Sequence, residues 1–249
     1  MRARQWTTAA AALTGLAARL LGGGSQLAGR PGRRHGPPDP AAPGLDTPLD
    51  RLLAVSLDTE TTGLDVRRDR LLSVAAIPLH GARVFSAASF DRLVNPGRRI
   101  PPASTAVHGI TDAMVDGAPA FAAIAAELGS ACARRAWVGH NIGFDLAILR
   151  RESARAGLPW LEPPALDTLR LYAALFPRAP DLELEAVAAD LGVDAHGRHT
   201  ARGDALMTAE IYRRMLPLLA EAGIGTLGEA LAFAERPRQI LRLQRALGW

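Results

Sequence analysis

Four carboxylates and one imidazole carry the most readable chemistry of this sequence. Asp58 and Glu60 stand one residue apart at the end of the apolar run Leu52–Leu57. In an extended strand that spacing puts both side chains on one face and Thr59 on the other. Two carboxylates held so close repel each other unless a hard cation sits between them. An oxygen-rich pair of this kind suits Mg²⁺ or Mn²⁺. A D-x-E pair alone is weak evidence, because solvated surface charges often produce it; the apolar run ahead of it raises its weight.

Asp145 falls inside an apolar helical stripe, with Ile142, Ile148 and Leu149 at i−3, i+3 and i+4. A carboxylate on the core side of a helix is costly unless it is paired or bound to metal. An aspartate in a first helical turn also serves as a cap, and both uses of Asp145 stand equally. Asp204 opens another helical stripe that continues through Thr208, Ile211, Met215 and Leu218, and His199 precedes it in the loop after Gly197. Singly, a helix-start Asp and a loop His are ordinary. Together, four inward-facing carboxylates and one loop His match a standard device for phosphodiester chemistry. Two divalent cations roughly 4 Å apart steady the attacking and leaving oxygens. A histidine with an unperturbed pKa near ~6.5 suits deprotonation of the attacking water.

The elements that must position these groups follow from periodicity. Leu52–Leu57 reads as a buried strand, Leu71–Leu79 and Ala82–Val94 as two more joined by a turn at His80-Gly81, and Ala136–Gly139 and Ala165–Asp167 as short strands. Helices are expected over Pro119–Ala133, from an Asn141 cap to about Ala156, and over Thr168–Leu175, Leu182–Leu191 and Gly203–Ala220, with two more beyond Gly225. Asp167 is expected to cap the helix at Thr168. The order predicts an α/β domain with a mixed sheet.

Residues 1–50 read as a disordered or loosely structured N-terminal arm, because 22–44 is dense in Gly, Pro and Arg and buries too little apolar surface to offset chain entropy. Residues 51–221 then form the main domain and 222–249 a helical tail. Apolar residues make up 48% of the chain, enough for a substantial core, yet none of the runs reaches the roughly 18 apolar residues of a membrane span. The net charge of +4 favours a polyanionic partner without identifying one. Every permanent side-chain cation is Arg, a bias that Ala, Gly and Pro usage shares. Cys132 is the sole cysteine, which excludes an internal disulfide and a cysteine-based zinc site.

Three stretches resemble the exonuclease motifs of the DEDDh family: Asp58-x-Glu60-Thr61-Thr62-Gly63-Leu64, Gly139-His140-Asn141-x-x-Phe144-Asp145 and His199-x-Ala201-x-x-Asp204-Ala205. Val107-His108-Gly109-Ile110-Thr111 matches a further signature between the first two. The resemblance runs from about Leu52 to Leu219, with the motifs in family order. That group includes the epsilon proofreading subunit of the bacterial replicase, RNase T and oligoribonuclease. It implies an RNase H-like fold, a mixed central sheet of about five strands flanked by helices, and two Mg²⁺ ions that Mn²⁺ can replace. By resemblance Asp58 bridges both metals, Glu60 and Asp204 complete one site, Asp145 serves the second, and His199 is the general base. Thr59, Thr62, Gly63 and Leu64 are expected along the 3′-terminal nucleotide, with Leu64 as a wedge and His108 as a further contact. Phe144 is expected under the terminal sugar or base, or in ordinary core packing. Pro101-Pro102-Ala103-Ser104 lacks the acidic residue that some proofreading subunits carry there.

The implied activity is 3′–5′ hydrolysis releasing nucleoside 5′-monophosphates from a single-stranded or frayed 3′ end, in the cytoplasm, with DNA favoured and RNA trimming the alternative. The basic tail 236–249 reads first as a final helix packed against the domain, with docking on a DNA polymerase, the candidate partner, as the alternative. A remoter reading makes the chain a non-catalytic binding or tethering module. One sequence fixes neither the DNA–RNA choice nor the oligomeric state.

Overall fold

The computed structural model describes residues 42–179, 181–195 and 197–237. Most of the arm and the tail after Pro237 lie outside them. The strand expected from Leu52 is β1 (Leu53–Thr61), the centre of a six-stranded mixed sheet. β2 (Leu71–His80) runs antiparallel to it, while β5 (Ala136–Gly139) and β6 (Ala165–Asp167) continue the other side in parallel.

The expected strand Ala82–Val94 is split. β3 (Arg83–Val84) and β4 (Phe90–Leu93) pair with opposite ends of β2, and a 3₁₀ turn at Ser86–Ala88 lifts the chain off the sheet between them. The lifted residues are small, Ser-Ala-Ala-Ser, and offer little to bury. Two short helices, α1 (Pro102–His108) and α2 (Asp112–Val115), occupy a region without amphipathic periodicity in the sequence.

β1 is buried on both faces. On one, Val55 and Leu57 meet Phe121, Ile124 and Leu128 of α3 (Phe121–Cys132) and Ile148 and Leu149 of α4 (Gly143–Arg155). On the other, Leu52 and Ala54 share a core with α5 (Thr168–Leu175), α6 (Leu184–Asp190), α7 (Ala201–Glu221) and α8 (Leu227–Ala234). Each fully buried Leu or Ile in these layers contributes about 1.5–3 kcal/mol. The segment at Leu45–Leu49 is hydrogen-bonded to Gly225–Gly228, and α8 packs on α5, so both ends of the described chain join this second core. Asp167 caps α5 as expected, accepting from Leu169 N. Asn141 does not cap α4: it takes a left-handed φ of 58°, and its backbone N donates to Asp167 Oδ1 at 2.9 Å. Among the described residues no helix is long and apolar enough to cross a membrane.

Candidate active site

Asp58 and Glu60 lie at the end of β1 on the face covered by α7, as period two requires. A register shift between Glu60 and Thr61 bends the strand just past them, a bulge of the kind that re-aims side chains. Asp204 reaches them from the first turn of α7. Two local features seat that turn. Ala201 and Ala205 are small enough to let the helix end press on Ala75 and Ile77 of β2, and Ser56 Oγ, fully buried, donates to the Ala205 carbonyl at 2.8 Å. One ligand oxygen from each of Asp58, Glu60 and Asp204 then lies within 4.8 Å of the others.

Asp145 comes from the opposite face of the sheet. Thr59, pointing away from its two acidic neighbours, donates from Oγ1 to Asp145 Oδ1 at 2.6 Å. The Asp145 carboxylate therefore sits at the strand end outside the group of three, though near enough to act on Asp58 electrostatically.

Burial raises Asp58 well above the usual carboxylate range, and the charges of Asp145, Asp204 and Glu60 add to it. Glu60 is pushed to about 7, first by burial and then by Asp204. Burial also lifts Asp145 to about 7, against the hydrogen bond from Thr59. Arg198 opposes the rise at both Asp58 and Glu60. Asp204 Oδ1 is buried and without a hydrogen-bond partner. An orphaned inward oxygen beside two crowded carboxylates fits a hard divalent cation.

His199 is exposed, with a left-handed φ of 58°, in the loop leading into α7. Thr200 caps that helix, accepting from Gly203 N at 3.1 Å. Gly203 has to be glycine, because a Cβ there would lie 1.8 Å from the Gly197 carbonyl oxygen. Arg198, a residue that the sequence does not single out, turns inward instead. Its Nη1 lies 2.5 Å from Asp204 Oδ2 and its Nε 2.6 Å from Glu185 Oε1 on α6. Burial raises the Glu185 carboxyl, but hydrogen bonds from its own backbone and from Arg198, with the charge of Arg198, bring it below its ordinary value.

The substrate candidates divide in two. Leu64 is 87% exposed at the tip of the turn after β1. Thr59 and Thr62 are buried and engaged, Thr59 with Asp145 and Thr62 with Asp69 Oδ1 at 2.8 Å. Gly63 has an internal reason as well, since a Cβ would stand 2.6 Å from Asp69 Oδ2. Phe144 is half-buried against the α3–α4 core. His108 is buried and accepts from Ile110 N through Nδ1, and burial lowers its pKa. It borders a cleft of about 500 Å³ whose walls include Ser73, Leu93, Met114, Thr200 and Arg202. Ser73 is the cross-strand partner of Glu60 and Gly203 of the same lining precedes Asp204, while the four carboxylates themselves do not line this cleft.

The Exonuclease (RNase T) family model matches residues 55–212, the span that holds all of these groups. The chain belongs to this exonuclease family. A DNA polymerase III subunit epsilon-like protein of Rhodobacter capsulatus is 42% identical over 200 residues, 79% of this chain but 28% of that protein. The chain thus spans less than a third of that relative's length. The DNA polymerase III subunit epsilon of Aquifex aeolicus is 31% identical over 181 residues, 72% of this chain and 88% of that one. The exonuclease fold recurs in E. coli exonuclease I in complex with a dT13 oligonucleotide, at TM-score 0.60 and 20% identity, covering 68% of this chain and 42% of that one. It recurs too in exonuclease X in complex with 5′ overhanging duplex DNA, at TM-score 0.55 and 23% identity, over 72% and 97%. The exonuclease domain of this chain therefore has the fold of that family, a mixed sheet flanked by helices.

Proposed function

We propose that the chain hydrolyses the terminal phosphodiester at the 3′ end of DNA, with Asp58, Glu60, Asp204 and Asp145 holding two Mg²⁺ ions and His199 as the base. The observation that carries this reading is the convergence of Asp58, Glu60 and Asp204 within 4.8 Å at a strand end. When bound, the cations supply Lewis acidity and neutralise charge on the phosphoryl oxygens. The protein does the rest. Thr59 fixes the Asp145 carboxylate, Ser56 and the two alanines of α7 fix Asp204, and the bulge after Glu60 aims the strand end. His199 takes a proton from the attacking water at its imidazole after the loop turns it inward from its exposed position. Water oxygen bonds to phosphorus, the P–O3′ bond breaks, and the departing O3′ takes a proton from solvent, so the shortened strand leaves with a 3′-hydroxyl while a nucleoside 5′-monophosphate is released. Gly63, Leu64, His108 and Phe144 receive the last nucleotide, and the cleft beside His108 leads away from it.

Residues 51–221 are the catalytic body in this reading, with 222–249 as its tail and 1–50 as its arm. The likeness to polymerase III epsilon proteins supports work on frayed DNA ends beside a DNA polymerase in the cytoplasm. The test is incubation of the full chain with end-labelled single-stranded DNA and RNA in Mg²⁺. Stepwise shortening of DNA, abolished by Asp58→Ala, is the expected result. Shortening that D58A leaves intact would sink the assignment, and a strong preference for RNA would redirect it to RNA trimming.

A further inference from the structure

Arg198 stands where the acidic site needs a cation. Its guanidinium joins Asp204 Oδ2 on one side to Glu185 Oε1 on the other, and its side chain is 21% exposed against 9% for Asp204. The two acceptors belong to different helices, α7 and α6, so the arginine bridges the site to a carboxylate outside it. Asp58 and Glu60 have no hydrogen-bond donor among the described residues, so Arg198 supplies the local positive charge. A divalent cation that takes Asp204 meets this guanidinium at short range, and two like charges that close, half-withdrawn from water, repel strongly. Arg198 need not be left free when it yields, because the planar fork already touches Glu185 through a second nitrogen.

We propose that Arg198 is a built-in counter-cation of the metal site, paired with Asp204 in the metal-free protein and handed over to Glu185 when a divalent cation binds, so that it sets the metal affinity. Arg198 is a positioning residue in this scheme, acting through Asp204. The inference rests on the metal reading above. Glu185 is as much a part of it as the arginine, since it makes the exchange inexpensive.

Calorimetric titration of the full chain with Mn²⁺ tests it, on the wild type and on Arg198→Gln, Arg198→Lys, Glu185→Gln and Asp58→Ala. R198Q is expected to bind Mn²⁺ on the order of tenfold more tightly, the equivalent of one charge-assisted hydrogen bond no longer competing. R198K, which keeps a charge but loses the fork, should fall between R198Q and the wild type. E185Q should bind more weakly, because Arg198 then has Asp204 as its remaining carboxylate. Melting temperature supplies a second readout: R198Q should lose stability in EDTA and recover it in saturating Mn²⁺. A purely structural arginine would lower stability in both conditions and would not tighten metal binding. If D58A abolishes binding while R198Q and R198K bind no more tightly than the wild type, the counter-cation is overturned and the metal site survives. If none of the proteins binds Mn²⁺, the metal reading itself fails and takes this inference with it.

Discussion

Two loops border the carboxylates, and they are held in opposite ways. The turn Thr62–Arg70 is cross-braced. Thr62 N donates to the Arg70 carbonyl at 2.9 Å, and Arg70 N returns a bond to Thr62 Oγ1 at 3.0 Å. Asp69 accepts from Thr62 Oγ1 and from Asp65 N, while Arg155 Nη1 and Nη2 donate to the Asp69 and Arg67 carbonyls. Behind these lies Glu152, 2% exposed, gripping both Arg70 and Arg155. Among the described residues the loop Gly197–Thr200 has no such web. It rests on a local Thr200–Gly197 bond and on Arg198, and it places His199 in a backbone region that costs a non-glycine residue about 1 kcal/mol or more. In the proposed reading the first loop presents Gly63 and Leu64 to a substrate that must always be met in one place, and rigidity would serve it. The second depends through Arg198 on Asp204, a carboxylate of the candidate metal site. On the proposal above its arrangement would answer to the occupancy of that site.

The sharpest way to test this division is through kinetics. His199→Ala is expected to lower kcat by roughly 10²- to 10⁴-fold, the usual share of a general base, with little change in KM. A rise in KM alone would move His199 to the substrate-holding side of the comparison. Glu152→Ala strands two arginines and should cost about 3 kcal/mol of stability, measured by chemical denaturation. In the protein that remains folded, KM should rise more than kcat falls. An unchanged KM would show that the bracing does not serve the substrate.

The two regions should also answer to pH with opposite signs. Glu60 is raised from 4.5 to about 7 in the folded protein, so the native state keeps a proton that the unfolded chain releases. Stability in EDTA should then decline as pH rises from about 5 to 7, and Glu60→Gln should flatten that decline. Glu152 is the reverse. Burial raises its carboxyl, but Arg70 and Arg155 carry it below the ordinary value. Its contribution is present above about pH 4.5 and disappears as pH falls below, and Glu152→Gln should remove that acid-side loss. Thermal melts of the two variants across pH 4–8 would separate the slopes; parallel curves would contradict the contrast.

Much of this was legible in the sequence, for identifiable reasons. Period two placed Asp58 and Glu60 together, helical period placed Asp145 and Asp204 inward, and the motif order supplied the expected role of His199. What escaped depends on pairing between distant segments. Thr59 holding Asp145 requires knowing that α4 covers the face opposite α7. Ser56 interrupts an apolar run for a reason, the Ala205 carbonyl, that lies 149 residues away. Arg198 and Glu185 look like ordinary surface charges until α6 and α7 are brought side by side. The break at Ser86–Ala88 was obscured because the run from Ala82 to Val94 contains no Gly or Pro to mark it.

The smallest expected effect concerns Leu64. It is almost wholly exposed, so the folded protein gains little from its side chain, and Leu64→Ala should leave the melting temperature within about a degree of the wild type. If the braced turn exists to present this side chain to a terminal base, binding should bury it and recover about 1 kcal/mol. L64A should then raise KM for a frayed duplex end roughly fivefold, with kcat nearly unchanged. The loss should be smaller on single strands, where there is no pair to prise apart. Equal KM values for L64A and wild type on both substrates would mean that the rigid loop positions its backbone at Gly63 rather than its most exposed side chain. The contrast between the two loops would then rest on main-chain contacts alone.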